Sequence, residues 1–130
     1  MNKMLFTLPL IFLVFLAGCG GYRLTTAPPT EGQENIVEIT AAGFSPNTLT
    51  IKQGDKVTFV NRDTAKHWPA SDIHPTHTLY PETGGCIGSK FDACKGLAQG
   101  ESYSFVFNIK GNWGYHDHLN PGLKGTIVVQ

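Results

Sequence analysis

The sequence predicts an all-β sandwich, and two observations carry that prediction. Short stretches in which apolar and polar residues alternate recur along the chain, as in half-buried strands, and turn signals separate them. Beyond the N-terminal segment, no stretch shows the 3.6-residue period of an amphipathic helix over two turns or more. Many short strands joined by turns are typical of a sandwich of two packed sheets.

Residues 1–18 are predicted to be a lipoprotein signal peptide. Lys3 supplies a positive charge, and the apolar run over residues 4–16 is shorter than the roughly 20 residues that span a bilayer. The run ends in Leu16-Ala17-Gly18-Cys19, which resembles the bacterial lipobox. This resemblance implies that Cys19 is lipidated and becomes the N-terminus of an exported protein anchored to a membrane. Gly20, where an aspartate would favour inner-membrane retention, indicates the outer membrane or the cell surface.

Residues 19–34 are predicted to be a flexible linker, because glycines and prolines interrupt any apolar pattern. Residues 35–130 then form one domain, long enough to bury one modest core. Loss of Lys3 with the signal leaves 9 basic and 10 acidic residues of the original 10 and 10. Without a basic stripe, the composition does not indicate nucleic-acid binding. The sequence gives no indication of the oligomeric state.

Alternating patterns predict the strands of this domain in order. They cover residues 36–39, 48–52, 57–61, 102–109, 113–115 and 125–129. Turns are predicted at residues 44–47, 53–55 and 110–112. Residues 68–99 form a long segment rich in proline and glycine, and loops of that length are usually functional or disordered.

Two cysteines, Cys86 and Cys94, remain after Cys19 is assigned to a lipid, and both lie in the long loop. Export favours disulfides, so a Cys86–Cys94 bridge across the loop is the first interpretation. The alternative is that one of them is a copper thiolate.

All five histidines fall in two short segments, which predicts a metal site. His67, His74 and His77 lie within eleven residues, and His116 and His118 lie two residues apart. In an extended chain, residues i and i+2 point to the same side. Neutral imidazole is a common ligand for copper and for zinc.

The chain resembles a small cupredoxin. The resemblance is carried by residues 43–63 followed by His67, and by the aromatic strand, the histidine-bearing loop and the last strand, residues 125–129. It implies a Greek-key β-sandwich that binds copper under the loops at one end.

One departure from the cupredoxin pattern affects the metal site. Short-loop blue copper proteins carry Cys-x-x-His-x-x-Met before the last strand. Counting back from Gly125 puts those ligands at Asp117, Asn120 and Leu123, none of which is a blue-copper ligand. Without a thiolate there is no blue site. We therefore expect this chain to have the cupredoxin fold but no blue copper centre.

Short motifs suggest a copper site of nitrogen ligands instead. The runs His116-Asp117-His118 and His74-Pro75-Thr76-His77 resemble motifs of multicopper oxidases, and His67-Trp68 resembles the start of another. Cu(II) accepts nitrogen and oxygen ligands.

We predict one site centred on His67, His116 and His118, with His74 and His77 as further candidate ligands. Asp117 is expected to orient an imidazole or to serve as a turn residue. A second arrangement stays open if the strand remains extended. It has one site at His67 and Asp117, and another at His116 and His118 with His74 or His77.

Together, the lipobox and the cupredoxin resemblance imply a lipid-anchored copper-binding protein that acts in electron transfer or copper handling with a redox or copper-delivery protein. The alternative is a mononuclear type-2 copper oxidoreductase. A third interpretation, a domain that has lost its metal, is disfavoured by the histidine pattern.

Overall fold

The computed structural model describes residues 34–130. The predicted signal peptide, Cys19 and the linker up to residue 33 lie outside the described residues. The described chain is all-β, as predicted, and its eight strands are β1 (Asn35–Thr40), β2 (Gly43–Ser45), β3 (Thr48–Ile51), β4 (Lys56–Asn61), β5 (Pro69–Ser71), β6 (Ser102–Val106), β7 (Gly111–Asp117) and β8 (Asn120–Val129). Over this part of the chain, no helix is long and apolar enough to cross a membrane.

The strands form two four-stranded sheets, in the orders β2-β1-β4-β6 and β3-β8-β7-β5. Strands β1 and β4 pair in parallel, as do β3 and β8, and the other neighbours are antiparallel. Sequence neighbours therefore often lie in different sheets, which the chain reaches by crossing between the two layers. The predicted cupredoxin-like β-sandwich is confirmed.

Aromatic side chains fill the space between the sheets. The alternation along β4 places Val57 and Phe59 inside, both with no exposed surface. The ring of Phe44, from the first sheet, meets the ring of Tyr115, from the second, edge to face with centroids 4.7 Å apart. Phe59 also contacts Tyr115 edge to face at 5.2 Å. Such contacts add to the burial of large apolar surfaces and hold the two sheets in one register.

Strand β2 differs from the sequence-based expectation, and strand β7 begins at Gly111, inside the turn predicted at residues 110–112. The segment around Phe44 was predicted as a turn, yet Gly43–Ser45 forms β2 and pairs with β1, with Phe44 opposite Ile39. Burial of Phe44 in the core explains why this short strand forms where Pro46 suggests only a turn.

The long loop is packed against the sandwich. Pro69–Ser71 forms β5 at the edge of the second sheet, and Tyr80, Phe91 and Leu97 are buried in the core. The predicted disulfide between Cys86 and Cys94 is present. Because the loop contributes large apolar side chains to the core, its position over the sheet is fixed by the hydrophobic effect.

His116 lies near the end of strand β7 in the second sheet, and His118 follows directly after that strand. Strand β7 runs to Asp117 between β5 and β8, so that His116 lies opposite Ala70 on one side and Lys124 on the other. The pairing of β7 with β8 shifts register between His116 and Asp117. A shift of this kind bends the strand and redirects the side chains that follow it.

Candidate metal site

Four histidines come together where the long loop crosses the end of β7. Each of His74, His77, His116 and His118 offers one ring nitrogen, and the four nitrogens lie within 4.8 Å of one another. His74 Nδ1 is 3.3 Å from His116 Nε2, and His77 Nε2 is 2.9 Å from His118 Nδ1. We call these four residues the histidine cluster.

These spacings suit a single metal ion. Imidazole nitrogens bind zinc at about 2.0 Å, so four of them on a tetrahedron lie about 3.3 Å apart. The observed separations of 2.9 and 3.3 Å lie close to that value. Nitrogen donors also suit Cu(II), which often prefers a flatter arrangement. The four ring nitrogens of the cluster therefore fit a copper or zinc ion, and the cluster itself supplies only nitrogen ligands.

Two carboxylates, the buried Asp92 and the partly buried Asp72, fix the orientation of the two buried imidazoles. His116 Nδ1–H donates to Asp72 Oδ1 at 2.9 Å, and His77 Nδ1–H donates to Asp92 Oδ2 at 2.6 Å. A proton on Nδ1 leaves the lone pair of Nε2 directed at the cluster. Carboxylates that orient histidine ligands in this way are typical of metal sites, where they also increase ligand basicity.

Asp92 connects the cluster to the rest of the loop. Besides His77, it accepts the Trp68 indole N–H at 2.6 Å and the Cys94 amide N–H at 2.8 Å, both on Oδ1. Its side chain is fully buried. Three donors on one buried carboxylate offset the cost of removing it from water, and they anchor His77 to the segment that the disulfide closes.

Asp72 reaches His116 because β7 has a glycine at the right place. The Asp72 amide N–H donates to the Gly114 carbonyl at 3.0 Å. A Cβ at position 114 would lie 2.9 Å from Asp72 Oδ2, which is closer than real Cβ contacts allow. The ammonium of Lys124 lies 3.4 Å from Asp72 Oδ1, on the solvent side.

Burial and repulsion from neighbouring imidazoles favour the neutral forms of His116 and His118. His77 and His116 have no exposed surface, His118 is half-buried and His74 is exposed. Burial lowers the pKa of His116, and repulsion from His77 and His74 adds to it against the opposing attraction of Asp72. Burial also lowers the pKa of His118, again with His77 and His74 contributing. Neutral imidazole is the form that binds a metal.

His67, predicted from the sequence as a ligand, lies outside the histidine cluster in the structure. Its Nδ1 contacts Asp117 Oδ2 at 2.7 Å, and its Nε2 contacts Asp63 Oδ2 at 3.0 Å. Burial lowers the pKa of His67, but hydrogen bonds to Asp63 and Asp117 outweigh it, so that the pKa is raised. Since carboxylates occupy both ring nitrogens, His67 has none left to join His116 and His118.

Asp117 orients an imidazole, but that of His67 and not one of the cluster. As expected if the strand stays extended, its Oδ2 contacts His67. Its other oxygen, Oδ1, accepts the amide N–H groups of Trp68 at 2.8 Å and Leu119 at 3.1 Å. In the structure, His67 and Asp117 contact each other, while His116 and His118 lie together with both His74 and His77.

Trp68 covers one side of the cluster. Its ring and the ring of His118 have centroids 4.5 Å apart and an interplanar angle of 51°. The His118 amide N–H donates to the Trp68 carbonyl at 2.7 Å, which holds the two residues side by side. Trp68 therefore touches one histidine of the cluster directly and reaches a second, His77, through Asp92.

The sequence-based reasoning missed three carboxylates, Asp63, Asp72 and Asp92. A signal was present for two of them, since Asp72 stands two residues before His74 and Asp63 four before His67, whereas Asp92 lies 15 residues from His77. Acidic residues this close to clustered histidines are candidates for orienting them. Which histidine each carboxylate contacts depends on the folded loop and is not encoded in the spacing.

Comparisons with known proteins agree with the cupredoxin resemblance of the sequence. The family described as copper binding proteins, plastocyanin/azurin family, matches residues 32–130. Plastocyanin from Scenedesmus fuscus is 34% identical over 93 residues, which cover 67% of this chain and 86% of that protein. Amicyanin from Paracoccus denitrificans is 28% identical over 97 residues, which cover 73% of this chain and 64% of that protein.

A solved structure extends the comparison to the fold. A purple cupredoxin from Nitrosopumilus maritimus superposes with a TM-score of 0.58 at 22% identity, over 75% of this chain and all of that one. At that identity the likeness concerns the fold alone.

Proposed function

We propose, given that the chain belongs to the plastocyanin/azurin family of copper-binding proteins, that its histidine cluster binds one copper ion. The observation that carries this proposal is the convergence of four ring nitrogens within 4.8 Å, two of them on imidazoles held by the carboxylates of Asp72 and Asp92. Neighbouring imidazoles repel one another when they are protonated, whereas a shared metal ion attracts the lone pairs of their neutral forms. A bound cation gives the arrangement its stability.

The proposed site is a non-blue, type-2-like copper site. The two cysteines of the described domain are joined in a disulfide, and Asp117 stands where the blue-copper pattern has its cysteine. No thiolate from residues 34–130 is therefore available to the metal, and a blue site needs one. Copper would supply one-electron redox chemistry, while the chain supplies four imidazoles and the carboxylates that hold two of them.

The proposed role is electron transfer or copper handling outside the cytoplasm. His74 is the exposed member of the cluster, so the metal would lie just below the surface, within reach of a redox or copper-delivery protein. We further propose that the lipobox directs lipidation of Cys19, which would hold the domain at a membrane. The exposure of His74 also permits a second candidate function, a type-2 copper oxidoreductase that acts on a small oxidant.

Metal analysis and EPR spectroscopy of the copper-loaded mature protein test the proposal. We expect one copper per chain, a wide type-2-like parallel hyperfine splitting, and no intense thiolate-to-copper absorption in the visible range. Zinc should compete for the same site. An intense blue or purple band would show a thiolate ligand and contradict the proposed ligand set. Catalytic consumption of superoxide or peroxide by the loaded protein would favour the oxidoreductase over the electron carrier.

A further inference from the structure

We propose that Trp68 is a redox-active side chain that relays electrons between the copper site and one-electron oxidants at the protein surface. This inference rests on the proposed copper binding, and it assigns to Trp68 a role beyond packing. Trp68 is half-buried, so its indole reaches toward solvent as well as toward the cluster.

The first observation is the contact between Trp68 and His118. Their ring centroids lie 4.5 Å apart, so π-electrons of the indole touch an imidazole that would bind the metal directly. Among residues 34–130, Trp68 is the only tryptophan or tyrosine whose ring contacts a histidine of the cluster. Its ring centroid also lies 6.5 Å from that of His77. Trp68 thus provides the short aromatic route from the metal towards the surface.

The second observation is the hydrogen bond from the indole to a buried carboxylate. Trp68 Nε1–H donates to Asp92 Oδ1 at 2.6 Å. An indole that loses an electron becomes a much stronger N–H acid, so its oxidation is easier when a proton acceptor already lies on that hydrogen. Charge-assisted hydrogen bonds to carboxylates are short and strong, which fits the observed distance. Asp92 therefore gives the proton a place to go within the protein.

The relay consists of two balanced steps. A one-electron oxidant takes an electron from the Trp68 indole, and the Nε1 proton shifts to Asp92, which leaves a neutral indolyl radical. The radical then takes an electron from Cu(I) through the His118 ring and takes its proton back from Asp92. Trp68 and Asp92 return to their starting states, and the net change is reduction of the oxidant and oxidation of Cu(I) to Cu(II).

The second tryptophan provides a matched comparison. Trp113 Nε1–H donates to the Ile109 backbone carbonyl at 2.8 Å, and its ring packs edge to face on Tyr80 at 5.2 Å. A carbonyl is a far weaker base than a carboxylate, and Trp113 contacts no histidine of the cluster among the aromatic pairs of the described domain. Oxidation of Trp113 should therefore lead to damage at that ring, without transfer to the metal.

The test generates indolyl radicals in protein of known metal content. Pulse radiolysis in bromide solution produces the dibromide radical anion, which oxidises tryptophan by one electron and leaves two bromide ions. Indolyl-radical absorption is followed in zinc-loaded and Cu(I)-loaded protein, each as wild type, Trp68→Phe and Trp113→Phe. Zinc occupies the site without redox chemistry, so the comparison between metals within one protein needs no variant. Cu(II) formed after each dose is counted by EPR.

In Trp113→Phe, where Trp68 is the remaining tryptophan, we expect the radical to decay at least tenfold faster with Cu(I) than with zinc. The Cu(II) formed should match the radical lost. In Trp68→Phe, the radical lifetime should be the same with either metal. Equal lifetimes with both metals in Trp113→Phe, or equally fast quenching by Cu(I) in Trp68→Phe, would overturn the relay. If metal analysis finds that wild type retains no copper, the proposed function fails together with the relay. If copper is retained but the radical is not quenched, the relay alone fails.

Discussion

Replacement of Asp92 by asparagine changes one atom in the outer part of the site and should weaken copper binding. Asp92 Oδ2 accepts the His77 Nδ1–H at 2.6 Å, while Oδ1 accepts two other donors. An asparagine that keeps its carbonyl oxygen on those two donors must present its NH2 group to His77. The imidazole then accepts at Nδ1, and its proton moves to Nε2, where it faces the metal position.

The expected loss of copper affinity in Asp92→Asn follows from the role of the carboxylate in orienting His77. Loss of a carboxylate that orients a histidine ligand typically costs 10–100-fold in metal affinity, which corresponds to roughly 1.4–2.8 kcal/mol. Asp92 should fall near the upper end, because its side chain is fully buried and the asparagine favours the wrong tautomer of His77. The fold should persist, since the other two hydrogen bonds of the residue are retained.

Competition titration against a chelator of known copper affinity measures the effect. Asp63→Asn is the matched control, because Asp63 contacts His67 outside the cluster. We expect the Asp92→Asn dissociation constant to rise by about 10–100-fold and that of Asp63→Asn to change less than about threefold. An unchanged dissociation constant in a folded Asp92→Asn protein would refute the assignment of Asp92 as the residue that orients His77.

Three further predictions concern neighbouring features. The pKa of His67 is raised above 6.5, so protonated His67 stabilises the fold fully below pH 6.5, and this stabilisation is lost as pH rises through the folded-state pKa. The difference in melting temperature between the metal-free wild type and His67→Gln should therefore shrink from acidic to alkaline pH. Reduction of the Cys86–Cys94 bond should lower the free energy of unfolding by roughly 2–3 kcal/mol in urea titrations, and thiol labelling of the unreduced, unfolded protein should find neither cysteine. Gly114→Ala should displace Asp72 and raise the copper dissociation constant about tenfold without loss of the fold, as judged by circular dichroism.

The strands were predictable because burial on one face imposes a local period. Alternation along β4 and β6 marks the strands directly in the sequence, and the run ending at Val129 marks β8. By contrast, β2 and β5 have three residues each and no alternation to detect. They form because neighbouring strands and buried side chains provide partners, which is a tertiary effect.

The residues of the candidate metal site were predictable, but which of them lie together in the structure was not. Confinement of the histidines to two segments indicated that they act together. Strand periodicity suggested that Asp117 points toward His67, and the two side chains are in contact. That His67 pairs with Asp63 and Asp117 depends on where the turn after β4 places Asp63, which no spacing rule gives.

The separation of His67 from the cluster has a chemical consequence. In the cupredoxin pattern, the position of His67 and that of Asp117 both belong to copper ligands. Here His67 Nδ1 and Asp117 Oδ2 form a hydrogen bond at 2.7 Å, and His67 Nε2 forms a second hydrogen bond with Asp63. A hydrogen-bonded pair thus occupies the place where the pattern has two metal ligands, and the candidate metal position moves to the other face of β7.

Copper affinity of two alanine variants tests the central claim most directly. His77→Ala removes a buried imidazole of the cluster, whereas His67→Ala removes the histidine that the cupredoxin pattern would assign to the metal. Measured by chelator competition, with the bound copper characterised by EPR, His77→Ala should lose copper binding or weaken it by more than about 100-fold. His67→Ala should keep one copper per chain with the wild-type hyperfine splitting. Retention of wild-type affinity in His77→Ala together with its loss in His67→Ala would contradict the four-histidine site.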